Sequence, residues 1–205
     1  MHASTWRAGH GRQPLRLATV LLALVATITL AGCGSGDEGA GKSAAKAAPA
    51  AAKGMPRSEP TWVKVPSIDA NSSLVPLGLN KDKTVEIPPV SQPLQAGWYK
   101  YSPTPGQLGP SVILGHIDGN HKKGIFWRLH EMKKGAKVLI GRKDGSVATF
   151  IVNKTKQIPK TSFPSKEVYG NTPDSQVRLI TCGGEFDASK RSYKDNTIVY
   201  GQLQQ

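Results

Sequence analysis

Val177-Arg178-Leu179-Ile180-Thr181-Cys182-Gly183-Gly184 is a short apolar run, rich in branched side chains, that ends on a thiol and two glycines. Its length and composition predict a β-strand, with Cys182 at the strand end where a substrate can reach it. Runs of the same kind recur throughout the C-terminal three quarters of the chain: Val63–Ile68, Leu74–Leu79, Val112–Leu114, Ala136–Ile140, Val147–Val152 and Thr197–Leu203. Turn residues punctuate them, and Lys143-Asp144-Gly145 reads as a hairpin connection. The only helical stretches are short, at Gly124–Glu131 and Ser165–Tyr169, and no long stripe of period 3.6 occurs. The pattern alone therefore predicts a mainly β domain, sandwich or barrel, over residues 61–205.

The chain has 205 residues, enough for one domain with appendages, and the globular part is long enough to bury a core without disulfides. Only two cysteines occur, Cys33 and Cys182, and their contexts differ too much to read as a disulfide framework. From Thr61 onward 20 Lys/Arg face 11 Asp/Glu. The lysines are scattered and lack a recognition motif, so no nucleic-acid partner is expected. An anionic envelope polymer or a membrane surface fits the excess better.

The N-terminus points the same way. Arg7, Arg12 and Arg16 precede the apolar run Leu17–Ala31, which has the length of a secretory h-region and is short for a membrane span of ~20 residues. The run closes on Leu30-Ala31-Gly32-Cys33, which resembles a bacterial lipobox. That resemblance implies a signal peptide over residues 1–32 and lipidation of Cys33, where two acyl chains give a stable anchor; the plainer readings are an ordinary signal peptide with a coincidental Cys, or an uncleaved anchor helix. Residues 33–60, rich in Ala, Gly, Lys, Ser and Pro, read as a disordered tether.

Two further side chains give Cys182 a chemical context. His116 closes the apolar run Ile113-Leu114-Gly115, and Arg191 follows Cys182 by nine residues. A thiolate nucleophile needs a base or cation beside it and an electrophile for the oxyanion it creates; an imidazole and a guanidinium supply both. Taken singly, each has a plainer reading: a buried inert thiol, a surface or core histidine, and a surface arginine beside Lys190. Asp118, two residues after His116, is a candidate to orient it. Thr181 is either part of the substrate environment or a β-branched strand residue, and Gly183 and Gly184 permit close backbone approach.

Taken together, Leu179-Ile180-Thr181-Cys182, the Arg nine positions on and the Gly-His that ends a strand resemble the sortases of Gram-positive cell walls. The strings Leu179–Gly201, Gly109–Asp118 and Gly124–Leu129 look most like the class F branch. The resemblance runs from about Trp62 to Leu203. It implies an eight-stranded β-barrel with short helices in its loops. It also implies that Cys182 attacks the Thr carbonyl of an LPxTG-like sorting signal to form a thioester, that His116 protonates the leaving amine, and that Arg191 positions substrate and stabilises the oxyanion. Its partners would be secreted proteins with a C-terminal sorting motif and a peptidoglycan amine. The enzyme would be a monomer on the outer face of the cytoplasmic membrane, with no cofactor. Arg178 departs from the pattern, since many members carry Thr or another uncharged residue there.

Rival readings are a cysteine hydrolase of the envelope, which shares the acyl-enzyme but releases it to water, and a lipid-anchored binding module without activity. An L,D-transpeptidase would carry a Ser-His-Gly-Cys-type string at its nucleophile, where this chain has Arg178-Leu179-Ile180-Thr181 before Cys182. His116, His121, His130 and Cys182 match no compact zinc spacing, so no metal site is expected. The acids near the site form no obvious oxygen cage for calcium.

Overall fold

The computed structural model describes residues 54–205. The signal segment, Cys33 and most of the predicted tether lie outside the described residues. The strands are β1 (Pro60–Val65), β2 (Ala70–Leu77), β3 (Ala96–Tyr99), β4 (Gly109–Gly115), β5 (Asp118–Gly119), β6 (Lys122–Lys123), β7 (Lys137–Arg142), β8 (Val147–Pro159), β9 (Ser175–Asp187) and β10 (Ser192–Leu203), with one helix, α1 (Ser165–Tyr169), between β8 and β9. Eight strands close into a barrel in the order β1-β2-β3-β4-β9-β10-β8-β7, and β5 and β6 form a separate small hairpin. Neighbours in the barrel are antiparallel except β2 with β3 and β4 with β9.

The barrel predicted from the sequence is present, with three differences in detail. β3, Ala-Gly-Trp-Tyr, has too few residues to show a period and lies between proline-rich loops, so pattern reading passes over it. The helix expected at Gly124–Glu131 shrinks to one 3-10 turn at Leu129–Glu131. β8 and β10 run well past their apolar cores, because Lys154–Pro159 pair with Asp195–Tyr200, and Ser192 and Tyr193 with Asp187 and Phe186 of β9, through the backbone, which polar side chains do not prevent.

Alternation sorts the side chains into two apolar layers. Val63, Ile113, Phe126, Ile140, Phe150, Leu179 and Val199 fill the barrel interior. Val112, Leu114, Ile180, Ile198 and Tyr200 point outward from β4, β9 and β10 and are covered by Val168 of α1 and by Val85. β4 is buried at every position because both of its faces are covered, which is why its sequence reads as continuous apolar residues.

The chain before β1 is held to the barrel. Met55 N–H donates to the Gly106 carbonyl at 2.7 Å, Ser58 N–H to Thr104 Oγ1 at 3.2 Å, and Lys143 Nζ pairs with Glu59 at 2.7 Å. Arg142, whose side chain is fully buried, donates to the carbonyls of Pro56 and Pro105. The chain is thus tied to the barrel several residues before the boundary at 61 that composition sets, mostly through backbone groups of Met55, Pro56 and Ser58 that composition does not report.

Candidate active site

Register decides which residues meet. In the parallel pair β4/β9, Val112 lies beside Arg178 and Leu114 beside Ile180. Two further steps set His116, the first residue past β4, beside Cys182. The two side chains share the outer face because side-chain direction repeats every two residues. On the other side of β9, Cys182 is opposite Asn196 of β10. His116, Cys182 and Asn196 thus stand in a row across three strands, at the floor of a cleft of about 340 Å³ that they line together with Arg191.

One wall of the cleft is the loop between β2 and β3. Gly78 N–H donates to the Glu86 carboxylate, and the Thr84 hydroxyl and N–H both donate to Asp82. These bonds hold the Asp82 carboxyl below the usual range. The loop then carries Ile87, Pro88 and Val90 along the cleft, with Ile87 and Val90 more than half exposed. His116 Nε2 lies 2.7 Å from the Pro88 carbonyl oxygen. A carbonyl only accepts, so Nε2 carries the proton in this contact and Nδ1 is left for proton exchange with a reacting group. Cys182 is a free thiol, partly exposed to the cleft.

Arg191 reaches the same cleft from the turn between β9 and β10. It is exposed and its backbone is left-handed, with φ of 48°. Asn196, the register partner of Cys182, lies five residues further on. At about 3.3 Å per residue this puts the Arg191 backbone roughly 16 Å along the chain from the Cys182 register, and its side chain lines the cleft together with Cys182 and His116.

A family model of the sortase domain matches residues 63–204, which contain all of these side chains. The chain belongs to the sortase family. It is an enzyme, a cysteine transpeptidase. Among solved structures it is similar to a lid mutant of sortase A from Corynebacterium diphtheriae, with 18% identity and a TM-score of 0.55 over 74% of this chain and 73% of that one. It is also similar to sortase C2 of pilus island 1 from group B Streptococcus, with 18% identity and a TM-score of 0.54 over 70% and 73%. Sortase A from Listeria monocytogenes gives 21% identity and a TM-score of 0.51 over 73% and 89%. At these identities the likeness is one of fold. No curated protein matches the sequence.

The smaller expectations around the sortase site divide. Asp118 accepts a short hydrogen bond from the Tyr193 hydroxyl, and the hydrogen bond found for His116 runs to Pro88, so the Asp118 carboxylate braces β10 instead of the imidazole. Burial and this carboxylate, with a smaller contribution from Cys182, push Tyr193 up to about 12. Thr181 turns its side chain toward the barrel interior, opposite Thr197, so only its backbone faces the cleft. Gly183 is a packing glycine: a Cβ there would meet Thr197 Oγ1 at 2.5 Å. Gly184 has φ of 74° and supplies the left-handed step where β9 meets the irregularity of β10 between Tyr193 and Asp195. Sequence reasoning missed Pro88, Tyr193 and Asn196. The signal for the first was an apolar stretch, Ile87-Pro88-Pro89-Val90, too proline-rich for a central strand. Among the described residues no group of His, Cys, Asp and Glu is placed to hold a metal ion.

Proposed function

We propose that this enzyme is a class F-type sortase that cleaves an LPxTG-like sorting signal and passes the protein to a peptidoglycan amine. The observation that carries the reading is the β4/β9 register, which sets His116 beside Cys182 at the floor of an apolar-walled cleft. The Leu-Pro part of the peptide packs on Ile87 and Val90 and aligns the scissile Thr carbonyl. His116 Nδ1 takes the Cys182 thiol proton as the sulfur attacks that carbon, and gives it to the departing amine as the C–N bond breaks. The incoming amine then opens the thioester, its proton passing through Nδ1 back to the Cys182 sulfur as the C–S bond breaks. Arg191, which lines the same cleft, holds the peptide by its backbone carbonyls through a two-pronged guanidinium.

The same reading places the domain outside the cytoplasmic membrane. A signal peptide spans residues 1–32, an acylated Cys33 holds the chain to the membrane, and a tether leads to the barrel; the run Leu17–Ala31 and the Leu30–Cys33 motif support this. Replacing Cys33→Ser is expected to release the protein or leave its precursor uncleaved, and an unchanged mass with membrane retention refutes the lipid anchor.

The activity is tested by mass spectrometry of residues 54–205 incubated with an LPxTG-type peptide and an amine, beside Cys182→Ala. The expected result is an adduct on Cys182 and a product joined at Thr, both absent from the variant. Cleavage without joining at any amine concentration makes the protein a hydrolase, and no adduct with any sorting peptide refutes the substrate class. Arg191→Ala and Lys194→Ala, measured side by side, locate the working cation. Lys194 lies at the β10 irregularity next to the Cys182 register and is paired with Glu185 at 2.6 Å. A larger loss in Lys194→Ala moves the role from the turn to the strand.

A further inference from the structure

The positive charge of this domain has a built focus away from the catalytic cleft. A second cleft, of about 390 Å³, opens where β8, α1, β9 and β10 meet, and Lys154, Lys166, Glu167, Thr172, Arg178 and Tyr200 border it. The two clefts share no lining residue. Arg178 stands on β9 four residues before Cys182, on the same face, and thus about 13 Å from it along the strand.

Arg178 is only 3% exposed, and its partners are neutral. One Nη donates to Gln176 Oε1 at 2.6 Å and, weakly, to the Glu167 carbonyl at 3.5 Å; the other donates to the Val177 carbonyl at 3.1 Å. Its Nε has no partner. The nearest carboxylate, Glu167, is taken by Lys154 and Lys156 at 2.6 and 3.0 Å, and no ion pair among the described residues includes Arg178. The guanidinium packs on the Tyr200 ring at 4.6 Å, with Lys154 Nζ 4.4 Å and Lys156 Nζ 5.7 Å from the same centroid. Three cations therefore converge on one ring beside Glu167, with the Asp174 carboxylate acting on Arg178 without a direct ion pair. A buried guanidinium with only neutral acceptors retains most of its desolvation cost, and an anion in the cleft offsets it. Burial also pulls its pKa down.

We propose that this cleft binds a phosphate group, presented either as the free ion or as the phosphodiester of a glycerophospholipid headgroup. A phosphate oxygen matches the fork of a guanidinium, and Lys166 adds a donor at the rim. The volume is in the range of about 300–1,000 Å³ that small-ligand sites occupy. The transfer chemistry proposed above uses none of these residues, and Arg178, the departure from the family pattern, acquires a role.

The test is isothermal titration calorimetry of the full chain with inorganic phosphate at constant ionic strength, with chloride as reference and Lys166→Glu and Arg178→Gln as variants. Lys166 is exposed, so its replacement leaves the fold intact even where Arg178→Gln does not fold. One saturable site in the wild type, at least tenfold weaker in Lys166→Glu and lost in Arg178→Gln, supports the assignment. Heats equalled by chloride, or unchanged in Lys166→Glu, overturn it. A second titration uses glycerophosphoglycerol: tighter binding than inorganic phosphate assigns the headgroup, and weaker binding assigns the free ion. The readout is binding, so the result stands or falls independently of the transpeptidase reading.

Discussion

Gly183 sits one residue past Cys182, and a methyl built on it falls 2.5 Å from Thr197 Oγ1, against 3.4 Å or more for ordinary contact. Thr197 is 2% exposed and opposite Thr181 across the β9/β10 ladder, so it has no solvent to swing into. In Gly183→Ala about 0.9 Å has to come from displacement of the two strands, the difference between those two distances. Overpacking of this kind costs about 1–3 kcal/mol. For a domain of this size the expected fall in Tm is roughly 3–10 °C. The displacement begins beside the nucleophile, and a misplacement of about 1 Å is worth up to about 100-fold in rate. The assay is thermal unfolding together with kcat/KM for peptide cleavage in wild type, Gly183→Ala, Thr197→Ala and the double variant. Thr197→Ala removes the colliding oxygen, so the double variant is expected to recover, with a coupling of at least about 1 kcal/mol. Strict additivity, or a Gly183→Ala enzyme of wild-type stability and rate, refutes the reasoning.

Other consequences of the structure are open to direct measurement. His116→Ala is expected to lower kcat by about 10²- to 10⁴-fold, the usual worth of a positioned acid, and to remove one limb of a bell-shaped pH–rate profile. Arg191→Ala is expected to raise KM for the sorting peptide, because its side chain lines the cleft that receives it; unchanged KM and kcat refute a role in the site. Arg142→Met leaves the carbonyls of Pro56 and Pro105 without their donor, so a loss of about 2–5 kcal/mol and faster hydrogen exchange at Met55 are expected. Hydrogen bonds from Lys154 and Lys156 lower the Glu167 pKa from 4.5 to about 2. Because the folded value is the depressed one, its stabilisation is complete above pH 4.5 and disappears as pH falls toward 2. With the carboxylate one-third exposed, screening leaves about 1 kcal/mol of this, which acid unfolding of Glu167→Gln should lack.

Much of this molecule is legible in one dimension. Short branched runs separated by turn residues specify a β-barrel or sandwich, and the Leu179–Cys182 string marks the nucleophile because a thiol at a strand end is both exposed and positioned. His116 was legible for the same reason: an apolar strand ends on it. The four-residue β3 and the backbone-held segment Met55–Glu59 were not, since neither shows its contacts as a hydrophobic period.

What the sequence by itself determined is the inventory: which strands form, which side-chain chemistries are present, and which of them stand at strand ends, all properties of a residue and its near neighbours. Tertiary structure decided which of these meet. Strand parity told Cys182 from Thr181, and the parallel β4/β9 register brought His116 to the thiol from 66 positions away. The β9/β10 register carried Arg191 out to the turn despite its nearness in sequence. Asp118 found Tyr193, and His116 found the Pro88 carbonyl, because a loop folded over the cleft. Pairing between distant strands is fixed by the closure of the whole barrel, and local spacing carries no record of it.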